Sequence, residues 1–243
     1  MNINYQLHRS FWNALDWIYP PVCAGCGKNG HRFCKECLAG VTVFSESHCS
    51  ICGKNTPNNS FICKECQLTP YYFSDACSWA AYGGSLREAI HALKYRQDVG
   101  LGDFFAAFLV SLLAEKQWQF DLVIPVPLSR TRRKQRGYNQ SELLSRPIAR
   151  FFSIEHSNSA LMRTKDTGEQ YKRNSIERKT NLEDAFFANP AKLKEREVLL
   201  VDDIITTGAT IRACSKTLLE AGAGKVMVIS LAKALRNQKN QEM

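Results

Sequence analysis

Asp202 and Asp203 stand side by side after the apolar run Val198 to Val201. Ile204 and Ile205 follow, and then Thr206-Thr207-Gly208-Ala209-Thr210. Two adjacent acids at a strand end can accept hydrogen bonds from a vicinal diol, such as the 2- and 3-hydroxyls of a ribose. They can also orient a magnesium ion through water. The small hydroxylated residues after them suit a turn into a helix, whose N–H groups and hydroxyls can cradle a phosphate. Gly208 lets the backbone approach the anion. The plainer alternative is an acidic strand end and a capped helix with no ligand, and Asp-Asp by itself would favour it. The whole string Val198–Thr210 argues against it.

Eight of the ten cysteines form four C-x-x-C pairs: Cys23/Cys26, Cys34/Cys37, Cys49/Cys52 and Cys63/Cys66. A C-x-x-C turn presents two sulfurs to one ion, and two turns close a tetrahedral zinc site. The count predicts two structural zinc ions. Sequential pairing puts Cys23, Cys26, Cys34 and Cys37 on one ion and Cys49, Cys52, Cys63 and Cys66 on the other. Each module then closes a short loop. A cross-braced arrangement joining the first and third turns is the alternative.

The net charge is +9. Residues 129–180 hold thirteen Lys/Arg against five Asp/Glu, so nearly all the excess sits there. Such a segment attracts pyrophosphate, nucleotides or a nucleic acid strand, unless it is only a solvated surface. No stretch approaches the ~20 apolar residues of a bilayer span, and the N-terminal residues do not read as a signal peptide. A cytoplasmic protein without membrane insertion is expected.

The elements that must position these groups follow from periodicity. Apolar residues at helical spacing predict an N-terminal helix within 1–21, stopped by Pro20-Pro21. The cysteine-rich region spans 22–72. From 73 to 243 strands alternate with helices, which predicts a mainly parallel sheet covered on both faces. Within it, Ser85 and Glu88 suggest a capping box for a helix at 85–97. Residues 121–127 form a short strand, and 129–140 a basic loop. A helix at 141–152 is bent or restarted at Pro147. Residues 155–180 read as a mobile loop. A strand through Asp202-Asp203, a helix from Thr206 to Gly222 and a last strand complete the reading.

The string Val198–Thr210 resembles the 5-phosphoribosyl-1-pyrophosphate (PRPP) signature of type I phosphoribosyltransferases. The wider layout resembles the ComF/ComFC (GntX-like) family of competence-associated proteins. The shared features are the multi-CxxC head, His91 to Tyr95 (HALKY), Val123 to Ser129 (VIPVPLS) and Arg136 to Gln140 (RGYNQ). A later Arg163, Gln170, Arg178 and Asn181 pattern also matches. The resemblance implies a Rossmann-like phosphoribosyltransferase domain behind an N-terminal double zinc ribbon. It assigns Asp202 and Asp203 as the catalytic, ribose-holding acids. PRPP would contact Val201, Asp202, Asp203, Ile204, Thr206, Thr207, Gly208, Ala209 and Thr210. The turn at Pro127 would be the pyrophosphate loop, with a strained or cis peptide. Arg130, Arg133, Arg136 and Lys94 would be candidates for the pyrophosphate oxygens.

Two functions are compatible with this layout. The first is magnesium-dependent phosphoribosyl transfer from PRPP to an acceptor that no segment identifies. The second is a PRPP-gated adaptor in DNA uptake that binds single-stranded DNA and competence or recombination proteins. Tyr138, Phe151, Phe152 and Tyr171 are its candidate stacking residues, although Phe151 and Phe152 also suit a core.

Overall fold

The computed structural model describes residues 20–44, 49, 51, 62–68, 71–164 and 185–235. The expected N-terminal helix, Cys52, Gln170, Tyr171, Arg178 and Asn181 lie outside the described residues.

Seven strands are described: β1 (Asp75–Ala81), β2 (Leu122–Pro125), β3 (Glu155–His156), β4 (Leu161–Arg163), β5 (Phe186–Ala188), β6 (Glu197–Ile205) and β7 (Lys225–Lys233). The helices are α1 (Lys35–Ala39), α2 (Lys64–Gln67), α3 (Gly84–Tyr95), α4 (Gly100–Lys116), α5 (Arg130–Arg136), α6 (Gln140–Phe152) and α7 (Ala209–Glu220).

Five strands make one parallel sheet in the order β1-β7-β6-β2-β3. The long apolar runs of β6 and β7 are those of strands covered on both faces. Leu199, Val201, Met227 and Ile229 face one core, shared with Leu86, Leu93, Phe105, Leu144 and Ile148 of α3, α4 and α6. Val198, Leu200 and Val228 face a second core, which contains Ile211, Cys214 and Leu218 of α7. The antiparallel pair β4-β5 joins that second core through Leu161 and Phe186.

This strand order creates a switch point. The chain leaves β2 toward β3 on one side, and leaves β6 toward β7 on the other. Open α/β sheets bind ligands at the strand C-termini beside such a point. Here those termini carry Val126–Ser129 and Asp202–Gly208. The Val126 N–H donates to the Val201 carbonyl at 2.9 Å, which extends the β2–β6 pairing by one residue.

The first cysteine module is built into the same framework. Cys23, Phe33, Cys34 and Cys37 are buried in the core that holds Leu86 and Phe105. The Phe33 and Phe105 rings meet edge-on at 5.3 Å. Residues 42–44 run antiparallel to β1, with the Ala81 N–H on the Thr42 carbonyl and the Phe44 N–H on the Trp79 carbonyl. That segment covers a sheet edge that would otherwise expose unpaired backbone groups.

Three local expectations need correction. Ser85 is not a cap: α3 begins after Gly83, and the Ser85 hydroxyl donates to the Cys37 carbonyl at 2.7 Å. The short side chain is used to fasten the cysteine module instead. The segment 129–140 is not a loop. Its first part is α5, capped by the Ser129 side chain at the Arg132 N–H and stopped by Gly137 in the left-handed region. Every α5 residue is at least partly exposed, so no apolar stripe revealed the helix. Residues 155–163 contribute two short strands and not a continuous loop.

Helix α6 runs through Pro147 as one element. The proline costs one backbone hydrogen bond, and α6 keeps its packing through buried Leu144 and Ile148. Gly102 in α4 permits close approach of the two helices: a Cβ there would stand 2.6 Å from Leu143 Cβ.

Candidate functional site

Asp202 and Asp203 lie inside β6, not beyond it, because the strand continues to Ile205. Both are buried, at 9% and 3% exposure. Each acid already has protein partners. Asp202 Oδ1 accepts from the Ser141 hydroxyl at 3.0 Å and from the Asp203 N–H at 2.9 Å. Asp203 Oδ1 accepts from Gln140 Nε2 at 3.2 Å. Lys94, reaching over from α3, pairs with Asp203 Oδ2 at 2.5 Å. That contact makes the Lys94 ammonium the partner of Oδ2.

Burial pushes the Asp202 carboxyl up to about 8, and the neighbouring Asp203 charge adds to the shift. Lys94, the Asp203 N–H and the Ser141 hydroxyl oppose it. A buried pair of acids sharing one lysine resists carrying two negative charges.

The segment Arg136–Ser141 builds one wall of the site. The Tyr138 hydroxyl donates to the Leu93 carbonyl at 2.6 Å, tying this segment to α3. Asn139 Nδ2 donates to the Val126 carbonyl at 2.9 Å, tying it to the end of β2. Asn139 Oδ1 accepts from the Ser141 N–H and caps α6. Gln140 and Ser141 then reach the two acids. In the sequence, Gln140 stands out only as the end of the Arg136–Gln140 segment and Ser141 only as the start of a helix. The signal was a run of polar residues in the first turn of an otherwise amphipathic helix, where cores normally have none.

Beyond β6 the chain opens. Thr206 and Thr207 are exposed, and Gly208 takes a left-handed φ of 75° as the N-cap of α7. Ala209 and Thr210 form its first turn, half-exposed. Val201 and Ile204 contribute differently from the hydroxyl residues. Val201 is fully buried, so only its backbone can meet a ligand, whereas Ile204 is partly buried against the same core.

The basic candidates divide. Arg130 is exposed at the start of α5, just after the Pro127 turn. Arg133 lies 3.7 Å from Glu142. Arg136 is engaged with Gln140 Oε1 at 3.0 Å and with the Tyr95 hydroxyl at 3.1 Å. Among the described residues no peptide bond is cis, and Pro127 is not in a left-handed conformation.

The cysteines gather as sequential pairing requires. Cys23, Cys26, Cys34 and Cys37 bring their sulfurs within 4.8 Å of one another, and so do Cys49, Cys63 and Cys66. Around a tetrahedral zinc with Zn–S of about 2.3 Å, sulfurs stand about 3.8 Å apart. Cys23–Cys37 at 3.7 Å and Cys26–Cys34 at 3.6 Å match that spacing. The Cys34 N–H points at Cys23 Sγ and the Cys63 N–H at Cys49 Sγ, both at 3.3 Å, which suits thiolates. Both clusters fit structural zinc, with all four positions filled by protein in the first.

Comparison with known proteins decides the family. Residues 14–67 match the model of the double zinc ribbon domain, and residues 117–243 match that of the phosphoribosyl transferase domain. Competence protein F of Haemophilus influenzae is 30% identical over 222 residues, covering 88% of this chain and 90% of that protein. The chain belongs to the ComF-like phosphoribosyl transferase family. The DNA utilization protein YhgH of Escherichia coli is 29% identical over 221 residues, covering 83% of this chain and 97% of that one. Competence protein ComFC of Bacillus subtilis is 25% identical over 218 residues, at 87% and 84% coverage. The ComF-like family thus accounts for both parts of the chain: the cysteine clusters as a double zinc ribbon and the parallel sheet as a phosphoribosyl transferase domain. Among the described residues no helix is long and apolar enough to cross a membrane.

Proposed function

We propose that this ComF-like protein binds PRPP with magnesium at the C-terminal ends of β2 and β6 and transfers phosphoribose to a nucleophilic acceptor in the cytoplasmic handling of incoming DNA. The observation that carries this reading is the buried pair Asp202 and Asp203, met by Ser141, Gln140 and Lys94 and followed in the chain by the open Thr206–Gly208 turn. Two buried acids beside a single cation are the pattern of a binding site and not of a core, and a ribose hydroxyl or a metal-bound water would give them further partners.

In this reading Asp202 and Asp203 hold the ribose diol. The turn Thr206–Thr210 holds the 5-phosphate, with the α7 N–H groups aimed at it. Lys94 gives up Asp203 as the ligand enters and turns to a phosphate oxygen. Arg130 and the Pro127 turn face the pyrophosphate. The acids offer the hard oxygen donors that magnesium prefers. When bound, that ion would offset charge on the departing pyrophosphate. The test is calorimetric titration of PRPP with magnesium into wild type and into Asp202→Asn/Asp203→Asn. Binding to wild type and at least a tenfold loss in the variant are expected. Equal affinity would remove the assignment.

A second reading rests on α5. Arg130, Arg132, Arg133, Lys134 and Arg136 place five cations in just under two turns of helix, all at least partly exposed. Such a cluster suits a phosphate backbone, as in an adaptor for single-stranded DNA that PRPP gates. The competence and DNA utilization names of its relatives favour a role near DNA. Fluorescence anisotropy with a labelled oligonucleotide tests it. Affinity should fall steeply with salt, and the slope should flatten when Arg132 and Lys134 become Ala. No binding at low salt would eliminate this reading and leave the first intact.

A further inference from the structure

Helix α5 ends where the acidic pair begins to be organised, through a side-chain chain that none of the readings above has used. Arg136 Nη1 donates to Gln140 Oε1 at 3.0 Å, and Gln140 Nε2 donates to Asp203 Oδ1 at 3.2 Å. Arg136 is itself fixed: its guanidinium lies over the Tyr95 ring at 4.9 Å and its Nη2 meets the Tyr95 hydroxyl at 3.1 Å. Gln140 is only 3% exposed, and water is largely kept from the amide.

We propose that Gln140 is the positioning residue of the acidic pair, with Arg136 fixing the orientation of its amide so that a neutral N–H always faces Asp203. The argument is one of compatibility. An amide has one acceptor end and one donor end. A guanidinium only donates, so it takes the oxygen. The nitrogen is then turned toward the carboxylate. The reversed amide would set donor against donor at Arg136 and oxygen against oxygen at Asp203. Each mismatch would leave a buried polar group unsatisfied.

The consequence concerns what remains when ligand arrives, and here the inference rests on the proposed PRPP site. Three charges surround Asp203: Lys94 from α3, Asp202 on its own strand, and Arg136 behind Gln140. Lys94 is a long side chain that ligand can displace. Gln140 is a short neutral donor locked from behind. It keeps Oδ1 engaged and leaves Oδ2 turned to the incoming hydroxyl. Gln140 therefore holds the Asp203 carboxylate in place after its lysine has left. Arg136, which the family resemblance offered to pyrophosphate, acts through Gln140 instead.

The test has a part that needs no ligand and a part that does. Without ligand, thermal melts of Gln140→Leu, Asp203→Asn and the double variant form a cycle. The Tm loss of Gln140→Leu should shrink to near zero in the Asp203→Asn background, because the partner no longer carries charge. Equal losses in both backgrounds would overturn the contact. With ligand, PRPP and magnesium are titrated at one pH into wild type, Gln140→Leu, Arg136→Met, Arg136→Lys and the Gln140→Leu/Arg136→Met double variant. Gln140→Leu should bind about tenfold more weakly, the scale of a lost hydrogen bond to a charged group. Arg136→Met, on the more exposed α5, should reproduce most of that loss, and adding it to Gln140→Leu should cost nothing more. Arg136→Lys, which can still donate to the amide oxygen, should bind close to wild type. A direct pyrophosphate contact by Arg136 would instead give a loss that adds to that of Gln140→Leu, and the proposal would fall. A wild type that binds no PRPP would refute the proposed function, while the ligand-free cycle would still decide the Gln140–Asp203 contact.

Discussion

Lys94 Nζ of α3 lies 2.5 Å from Asp203 Oδ2 of β6, with the two side chains 18% and 4% exposed. An ion pair this far from water is fragile to loss of one member. Removing one partner leaves a buried charge, at a cost of about 3–5 kcal/mol. Lys94→Met should therefore lower the Tm sharply, and Lys94→Met/Asp203→Asn should recover most of the loss. Differential scanning fluorimetry on wild type and these two variants checks this. A double variant no more stable than Lys94→Met would show that the lysine stabilises by packing alone.

The raised carboxyl of Asp202 gives stability a pH dependence of unusual sign. Folded Asp202 holds its proton up to about 8, whereas an unfolded chain releases it near the ordinary 3.8. Between those values the folded state binds the extra proton, so this residue's contribution falls as pH rises and levels off above the upper one. Asp202→Asn has no such slope. Its Tm, relative to wild type, should climb from about pH 5 to about pH 8. Parallel profiles would contradict the shift. The same group predicts that binding of PRPP with magnesium at neutral pH releases protons. The calorimetric enthalpy should then vary with the ionisation enthalpy of the buffer.

The first cysteine cluster should behave as part of the core. Cys34 is 2% exposed and lies in one apolar cluster with Leu86 and Phe105. Metal analysis should find about two zinc ions per chain, since two four-sulfur sites are expected. Cys34→Ser should lose about one of them and lower the Tm of the whole protein in a single transition. A separate low-temperature transition, with the remainder unchanged, would mean that the ribbon folds independently.

Gly102 offers a test of the framework behind α6. A methyl there would meet Leu143 Cβ at 2.6 Å and its carbonyl oxygen at 3.1 Å. Neither atom can swing aside as the tip of a long side chain would. Gly102→Ala should destabilise by about 1–3 kcal/mol, as overpacking does. It should also weaken PRPP binding, because α6 carries Gln140 and Ser141. A stable variant with altered binding would show that α6 had shifted and not unfolded.

Legibility in the sequence varied with the kind of pattern. The continuous apolar runs of β6 and β7 announced strands covered on both faces, and the spacing of eight cysteines announced the ribbon. The C-x-x-C pairing also followed from loop length, as far as Cys52 outside the described residues allows. What escaped was set by long-range partners. Ser85 has the local pattern of a cap, yet its hydroxyl is claimed by Cys37, 48 positions away in the chain. Helix α5 has no apolar face, so periodicity could not reveal it; only Ser129 and Gly137 mark its ends. The inward setting of Asp202 and Asp203 was likewise hidden. The sequence places them at a strand end, and only the fold shows Gln140, Ser141 and Lys94 converging on them.

Helix α3 is fastened at both extremities. Its Ser85 hydroxyl grips the Cys37 carbonyl, and its Lys94 ammonium grips Asp203. Nine residues separate these two fastenings, about 14 Å of stiff rod. The sulfur-bound metal is thus a foundation stone for a lever whose far end touches the acids. A shortened protein lacking the ribbon would inherit a slack rod and a wandering ammonium. Chelators and thiol oxidants, acting on atoms at the other end of α3, should therefore be felt at the acidic pair.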